Sequence, residues 1–296
     1  MIKVKVPATT ANLGPGFDTL GMSLDFYNQI RFKHNSTGLK IKINGRGSQD
    51  LATDESNLVY YVMTRLFEKV GYTNRDLTIE LDNKIPLARG LGSSAAAIVG
   101  GLVAANKLVG DKLSQDELLD LAVEIEGHPD NVAPALLGGV VITTNNGEKN
   151  VYKKIAVPDL KVVVAIPDYQ LSTKKARQVL PDKVDFDDAI FNISQTALLI
   201  SGLVSSDYQL ISQALSDKLH QPYRAKLIPG FEKIKESLKD LALGVMLSGS
   251  GPTVIALTVE SEVEIGERMV EIFKQHQIKA DYLVTAPTNQ GVLIDS

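Results

Sequence analysis

The chain contains no cysteine. Disulfides, thiolate nucleophiles and cysteine-based zinc sites are therefore excluded, and a reducing, cytoplasmic setting is the compatible one. Long apolar runs are missing too. The longest, around Ala95 to Ala105, falls well short of the roughly 20 residues that span a bilayer, so no membrane partner is expected. The opening MIKVKVPAT alternates like a strand and lacks the apolar core of a signal peptide. No dense Lys/Arg run occurs and the net charge is −4, which argues against a nucleic-acid partner. No internal repeat or low-complexity tract stands out. What is there is an ordinary globular composition, 44% apolar and 22% charged over 296 residues. That suffices for one large core or two modest ones.

One segment carries chemistry: Ile85-Pro86-Leu87-Ala88-Arg89-Gly90-Leu91-Gly92-Ser93-Ser94-Ala95-Ala96-Ala97. Its two glycines let the backbone curl around an anion, and two hydroxyls follow at once. A helical stripe then begins, with Ile98 and Leu102 on one line and Val99 and Val103 beside it. Unpaired N–H groups and the helix dipole converge on an anion at such a junction. It is not a Walker A loop, because no Gly-Lys-Ser/Thr triplet is present. Taken alone, the same turn fits a serine-capped entry into a buried helix.

Periodicity organises the rest. Asn57 to Val70 reads as a helix on its Leu58, Val62, Leu66 and Val70 stripe, and Leu77 to Leu81 alternates like a strand. Ser114-Gln115-Asp116-Glu117 forms a capping box for a helix running to about Glu126. Val140 to Thr144 and Val162 to Ile166 are β-branched strands. Helices follow over Ala189 to Leu203, Tyr208 to Leu219 and Phe231 to Leu241. Strands at Val245 to Ser248 and Thr253 to Leu257 flank a glycine-rich turn. A helix over Glu262 to His276 precedes a final strand near Asp281 to Thr285. This half predicts a sheet with two helices on one face. The polar stretch from Asn145 to Asn150, extending to Pro158, marks the domain boundary.

The segment PLARGLGSSAAA resembles the phosphate loop of the GHMP kinases, named for galactokinase, homoserine kinase, mevalonate kinase and phosphomevalonate kinase. Two further stretches, VPATTANLGPGFDTLGMSLDFYN (Val6 to Asn28) and LSGSGPTVIAL (Leu247 to Leu257), complete a three-motif pattern along nearly the whole chain. EGHPDNVAPALLGGVV (Glu126 to Val141) and YRAKLIPGF (Tyr223 to Phe231) make it most similar to the homoserine kinase branch. The resemblance implies an α+β, two-domain GHMP kinase fold. Residues 1–155 would be an ATP-binding, ribosomal-protein-S5-domain-2-like domain and residues 156–296 a ferredoxin-like domain, with the active site between them. It also implies ATP and Mg²⁺ as cofactors and phosphorylation of the L-homoserine hydroxyl to O-phospho-L-homoserine, for threonine biosynthesis. A homodimer is compatible with it.

Residue by residue, the implied ATP site is Asn57 for adenine with Val59 nearby, and the loop from Pro86, Leu87, Ala88, Arg89, Gly90, Leu91 and Gly92 through Ser93, Ser94, Ala95 and Ala96. Arg89 stands where the family often has Gly or Ser, and either binds the triphosphate or points to solvent. In the family the second serine, here Ser94, holds Mg²⁺. Glu124 matches the metal carboxylate better, with Glu126 as the fallback. Two residues apart on one helix, only one of them can face the cleft. A zwitterionic acceptor needs a carboxylate clamp and an ammonium acceptor. Arg177 and Arg224 match the first, and Asp18 and Asp130 can serve as the second. Asn12 can hydrogen-bond the reacting hydroxyl, and His128 and Thr173 complete the pocket. Asn12, Asp18 and His128 also fit structural turn roles. A carboxylate beside an ammonium has a depressed pKa, so catalysis without a dedicated base is expected, with Asn12, Asp130 and Arg177 positioning the reactants. The Ser248–Pro252 turn is expected to shape the cleft. A kinase for mevalonate, an isoprenoid alcohol or a sugar would leave the Asp and Arg pairs unused, and a silent binding protein would have lost some of them.

Overall fold

Val4, Val6 and Ala8 alternate along β1 (Ile2–Ala11) and are fully buried, which seats this strand inside a sheet. The computed structural model describes residues 1–147 and 149–295. Glu148, in the polar stretch taken as a boundary, and Ser296 lie outside the described residues. β1 pairs with β2 (Leu20–His34), whose first residues also pair with β5 (Val140–Asn145) and whose last pair with β4 (Leu77–Asn83). A register shift at Pro7/Ala8 interrupts the β1–β2 ladder and bends it. β3 (Lys40–Gly45) runs parallel to β4, and β6 (Asn150–Ile155) closes the other side on β5.

Helices α1 (Leu58–Lys69), α2 (Ser93–Leu108), α3 (Gln115–Glu126) and α4 (Pro129–Leu137) share one core with this sheet. α2 is apolar almost all round and is the central helix, touching α1, α3, α4 and β1. The capping box opens α3, with Ser114 Oγ accepting from Glu117 N and Glu117 Oε2 from Ser114 N. Gly127, at φ 86°, ends α3, and Pro129 starts α4 two residues later. This corner carries Glu126, His128 and Asp130 to the N-terminus of α2.

The second sheet begins with β7 (Lys161–Pro167) and has the order β10-β7-β9-β8, all antiparallel. This is the ferredoxin-like arrangement. Between β7 and β8 (Gly244–Leu247) the chain forms α5 (Thr173–Gln178), α6 (Phe186–Ser205), α7 (Tyr208–Gln213), α8 (Gln221–Arg224) and α9 (Phe231–Ser237). β9 (Val254–Thr258), α10 (Glu262–Gln275) and β10 (Ala280–Thr285) complete it. α9 and α10 cover one face, packing Ile234, Ile265, Met269 and Phe273 on Val163, Leu247 and Ala256. The opposite face, with Val162, Val164, Met246 and Ile255, merges with the first core. Among the described residues no helix is long and apolar enough to cross a membrane.

Three expectations need correction. The helix expected over 208–219 ends at Gln213, because Asp217 gathers the backbone N–H groups of Leu219, His220 and Gln221 and the Asn192 amide. Such local bonds outcompete helix continuation. The helix from Phe231 stops at Ser237 rather than Leu241. The strand near 281–285 is not the last: β11 (Leu293–Asp295) returns to pair with β1 in the first sheet. Residues 293–295 therefore do not share the sheet of the 156–296 span in which they were expected. A three-residue strand after Asn289-Gln290-Gly291 has too little periodicity to be read.

Candidate active site

A cleft of about 380 Å³ opens where the N-terminus of α2 faces the second sheet. Gly92 precedes α2 at φ 68° with no side-chain cap, so neither serine caps the helix. A Cβ at Gly90 would run into the Ser248 carbonyl, and one at Gly92 into the Thr9 hydroxyl. Both positions also carry positive φ, so glycine is required twice over. First-turn N–H groups at Ser93, Ser94 and Ala95 have no intrahelical acceptor, the arrangement that suits an anion. The loop is buttressed from the second sheet. Ser248 Oγ donates to Gly90 O at 2.5 Å and lies 2.9 Å from Thr10 Oγ1, and Gly249 N donates to Ala11 O. Ala88 through Ser94 line the cleft, whereas Pro86 and Leu87 lie behind it, Ala96 lines an adjoining pocket and Ala95 is fully buried.

Ser94 Oγ donates to Glu126 Oε2 at 2.8 Å, and both groups border the cleft. Burial pushes the Glu126 carboxyl above its ordinary value, with Ser94 opposing. Glu124 turns the other way. Its side chain is 59% exposed and its carboxylate pairs with Arg65 at 2.9 Å. Of the two glutamates, the structure thus turns Glu126 into the cleft and the preferred Glu124 away from it, as their two-residue spacing requires of one of them.

An apolar pocket of about 250 Å³ adjoins the loop, lined by Ile30, Leu51, Val59, Leu81, Leu87 and Ala97, with Asn28, Asn57 and Asn83 at its margin. Asn57 spends its amide locally: Oδ1 caps α1 through Val59 N at 3.0 Å, and Nδ2 donates to Ala52 O at 2.7 Å. These bonds fix the side chain in the pocket wall and leave one amide hydrogen over, as at an amide that donates once.

At the opposite end, Asp18, His128, Asp130, Thr173, Arg177 and Arg224 line the same cleft with Asn12. Asn12, at φ 73°, ties the motif together. Its Nδ2 donates to Gly249 O and its Oδ1 accepts from Asp18 N, each at 3.0 Å, so one amide hydrogen is left for a ligand. Arg177 Nη2 holds Asp18 Oδ1 at 2.7 Å, while its buried Nε has no partner. Arg224 is 2% exposed and anchored to Ala176 O, Gly249 O and His220. Burial first, and then Arg177, lower its pKa to about 10, which leaves it charged at neutral pH. Asp130 is buried and only weakly contacted, by Asn131 Nδ2 at 3.5 Å. Burial and the Asp18 charge raise its pKa to about 7. A low value was expected for this group with an ammonium beside it. In the free site the carboxyl is instead poised near neutrality. His128 is shifted down, chiefly by burial and then by Arg177.

Two residues here were not singled out from sequence. Phe17 lies under both guanidinium groups, 5.5 Å from Arg177 and 5.1 Å from Arg224, and stacks on His220 at 5.1 Å. His220 is wholly buried, its pKa lowered to about 4 mainly by burial. Its Nε2 lies 2.8 Å from Gly14 O and its Nδ1 3.3 Å from Arg224 Nη1. A neutral ring donating at Nε2 and accepting at Nδ1 satisfies both contacts. The signal for His220 was its place four residues before Arg224, one turn of helix away.

The architecture and the cleft have counterparts. Residues 57–139 match the GHMP kinases N terminal domain and residues 199–275 the GHMP kinases C terminal domain. The chain is 49% identical to a homoserine kinase of Carboxydothermus hydrogenoformans, over 99% of this chain and 96% of the relative. It is 45% identical to one of Moorella thermoacetica, over 98% and 99%. A crystal structure of homoserine kinase from Cytophaga hutchinsonii superposes with a TM-score of 0.90 at 34% identity, covering 99% of this chain and 97% of that one. Mevalonate kinase from L. major shares the fold alone, at a TM-score of 0.70 and 17% identity. On motifs, two-sheet architecture and full-length identity together, the chain belongs to the GHMP kinase family, in its homoserine kinase branch.

Proposed function

We propose that the chain transfers the γ-phosphoryl group of ATP to the hydroxyl of L-homoserine, forming O-phospho-L-homoserine in the cytoplasm. The observation that carries this reading is one cleft holding an anion cradle at one end and, at the other, two arginines beside a buried carboxyl. That pairing suits triphosphate and a zwitterion together. Like the kinases of its family, the chain uses ATP. Phosphates would lie on the Gly90–Ala95 backbone, and the apolar pocket beside Val59 would take the base. The donor set fits Mg²⁺, a hard ion that favours oxygen. Ser94 and Glu126 would hold it. Among the described residues no group of three His, Cys, Asp or Glu gathers, so phosphate oxygens and water would complete its shell. When bound, the ion neutralises charge developing on the transferred group.

Arg177 and Arg224, which line the cleft, would clamp the carboxylate, and Phe17 would keep the two cations splayed. Asp130 would take the ammonium, since Asp18 is already held by Arg177. Asn12 would orient the hydroxyl, His128 and Thr173 would wall the pocket, and the proton would leave on the γ-phosphate without a dedicated base. Positioning then supplies most of the rate.

An ADP-release assay with Mg-ATP tests the reading against homoserine, serine, threonine, mevalonate and galactose. Homoserine is expected to give the highest kcat/KM. Preference for mevalonate or galactose overturns it. Arg177→Leu is expected to raise the homoserine KM on the order of tenfold to a hundredfold, the usual effect of losing a charge-assisted hydrogen bond. Nucleotide affinity, measured by titration calorimetry, should hold.

A homodimer is supported by the outer face of α6. Phe186, Ile190, Ile193, Ala197 and Val204 fall on a heptad-like line along it, with Ile200 half-buried against the first core. Phe186, Ile193 and Val204 are 79%, 70% and 64% exposed. Light scattering should give twice the chain mass, and Ile193→Asp the mass of one chain.

A further inference from the structure

We infer that Arg89 is a positioning residue that holds the phosphate loop in shape by gripping the second sheet, and does not touch the triphosphate. The inference rests on the loop's reading as a nucleotide site. Arg89 borders the main cleft, yet its guanidinium is turned away from it. Nε donates to Pro167 O at 2.9 Å, Nη1 to Leu87 O at 3.3 Å, and Nη2 lies 3.5 Å from Asp168 Oδ1. All three partners line a second cleft, of about 320 Å³, on the far side of the loop, and none lines the first. The side chain is only 14% exposed, so the bulky cation is held by protein oxygens and not by solvent.

Geometry shows what the grip controls. Leu87 and Arg89 flank Ala88, which stands at φ 51°, the left-handed region that a residue with a Cβ avoids. Such a conformation persists only where its surroundings over-determine it. Arg89 supplies that from both sides, binding the carbonyl just before Ala88 and the last residue of β7. Leu171 N adds a 3.4 Å bond to Ala88 O. A planar fork with several N–H donors can serve two carbonyls at once, whereas an ammonium on a flexible stem cannot hold that geometry.

The same contact reaches the acceptor side. From Pro167 the chain runs through Leu171 to Thr173 and Arg177 on α5, which line the homoserine end of the main cleft. One side chain thus ties the nucleotide loop to the segment bearing half of the carboxylate clamp. Asp168 is the lesser anchor, being 67% exposed.

The test uses the full chain with Arg89→Met, Arg89→Lys and Asp168→Asn, titrated with a non-hydrolysable Mg-ATP analogue and, separately, with homoserine in the absence of nucleotide. Arg89→Met is expected to weaken analogue binding on the order of tenfold, and homoserine binding roughly threefold, scaled to the loss of buried polar contacts. Arg89→Lys should move both constants in the same direction. Asp168→Asn should stay within about twofold, as surface pairs do. Unchanged homoserine affinity without nucleotide in both Arg89 variants overturns the inference, because a residue acting directly on the triphosphate would leave that constant alone. Unchanged analogue affinity overturns it as well. Melting curves identify a variant that does not fold, and Arg89→Lys, which keeps stem and charge, carries the reading if Arg89→Met is lost. Wild-type chain that binds no analogue would sink the proposed function instead.

Discussion

Glu126→Gln is expected to cut turnover on the order of a thousandfold, while Glu124→Gln stays near wild type. The carboxylate at 126 is the one that meets Ser94 inside the cleft, and charge neutralisation by a held cation is worth several kcal/mol in such reactions. At about 1.4 kcal/mol per decade, losing most of that amounts to roughly three powers of ten. Gln keeps an oxygen to accept from Ser94, so folding should be untouched. Removing a half-buried carboxylate whose pKa is raised by burial relieves the free protein of an unfavourable charge. Steady-state kinetics over a Mg²⁺ titration checks this. An active Glu126→Gln enzyme would remove this corner from the metal site, and a dead Glu124→Gln enzyme would restore the spacing argument's other solution.

Asp130→Asn carries the second large effect, and it is a pH effect. In the free site burial and Asp18 raise the Asp130 pKa to about 7, so the group is protonated below that value and charged above it. Only the charged form attracts an ammonium. kcat/KM for homoserine should therefore fall as pH drops below about 7, and that limb should vanish in Asp130→Asn along with much of the substrate affinity. Bound ammonium favours the carboxylate, so kcat, which reports the complex, should lack the limb. Were Asp130 a general base, kcat would carry it too and would drop by roughly 10²–10⁴-fold on mutation. Stability follows the opposite sign. The folded pKa lies above the unfolded one, so the folded chain keeps its proton longer. Stability from this group is present below the unfolded value near 4 and is lost as pH rises through about 7. At pH 8 the variant should melt higher than wild type.

Much of this was legible in the residues. The glycine turn that opens α2 could be read because glycine conformation and helix termini are local properties. The capping box before α3 was read for the same reason. What escaped depends on distance in sequence. Phe17 sits beside a turn aspartate, and nothing nearby says that residues 160 and 207 positions later will stack on it. Asn57 showed polarity, but its role as the cap of α1 depends on the Ala52 carbonyl that folds back onto it. The raised pKa of Asp130 in the free site was not legible, because it comes from burial and from Asp18, far away in sequence. Arg89 could not be decided locally, since its partners at Pro167 and Asp168 belong to the other sheet.

The pairing of β11 with β1 bears on how the chain is made. Until Leu293 to Asp295 arrive, the outer side of β1 is an open edge with unpaired N–H and C=O groups, a template for misassociation. At roughly 5–20 residues per second, synthesis leaves it open on the order of tens of seconds. Lys3 and Lys5 stand along that edge, and lysines are what sheets use to discourage strangers. Once β11 docks, both meet Asp295, at 3.6 and 3.2 Å. The same two side chains would thus guard the nascent strand and then greet its proper neighbour.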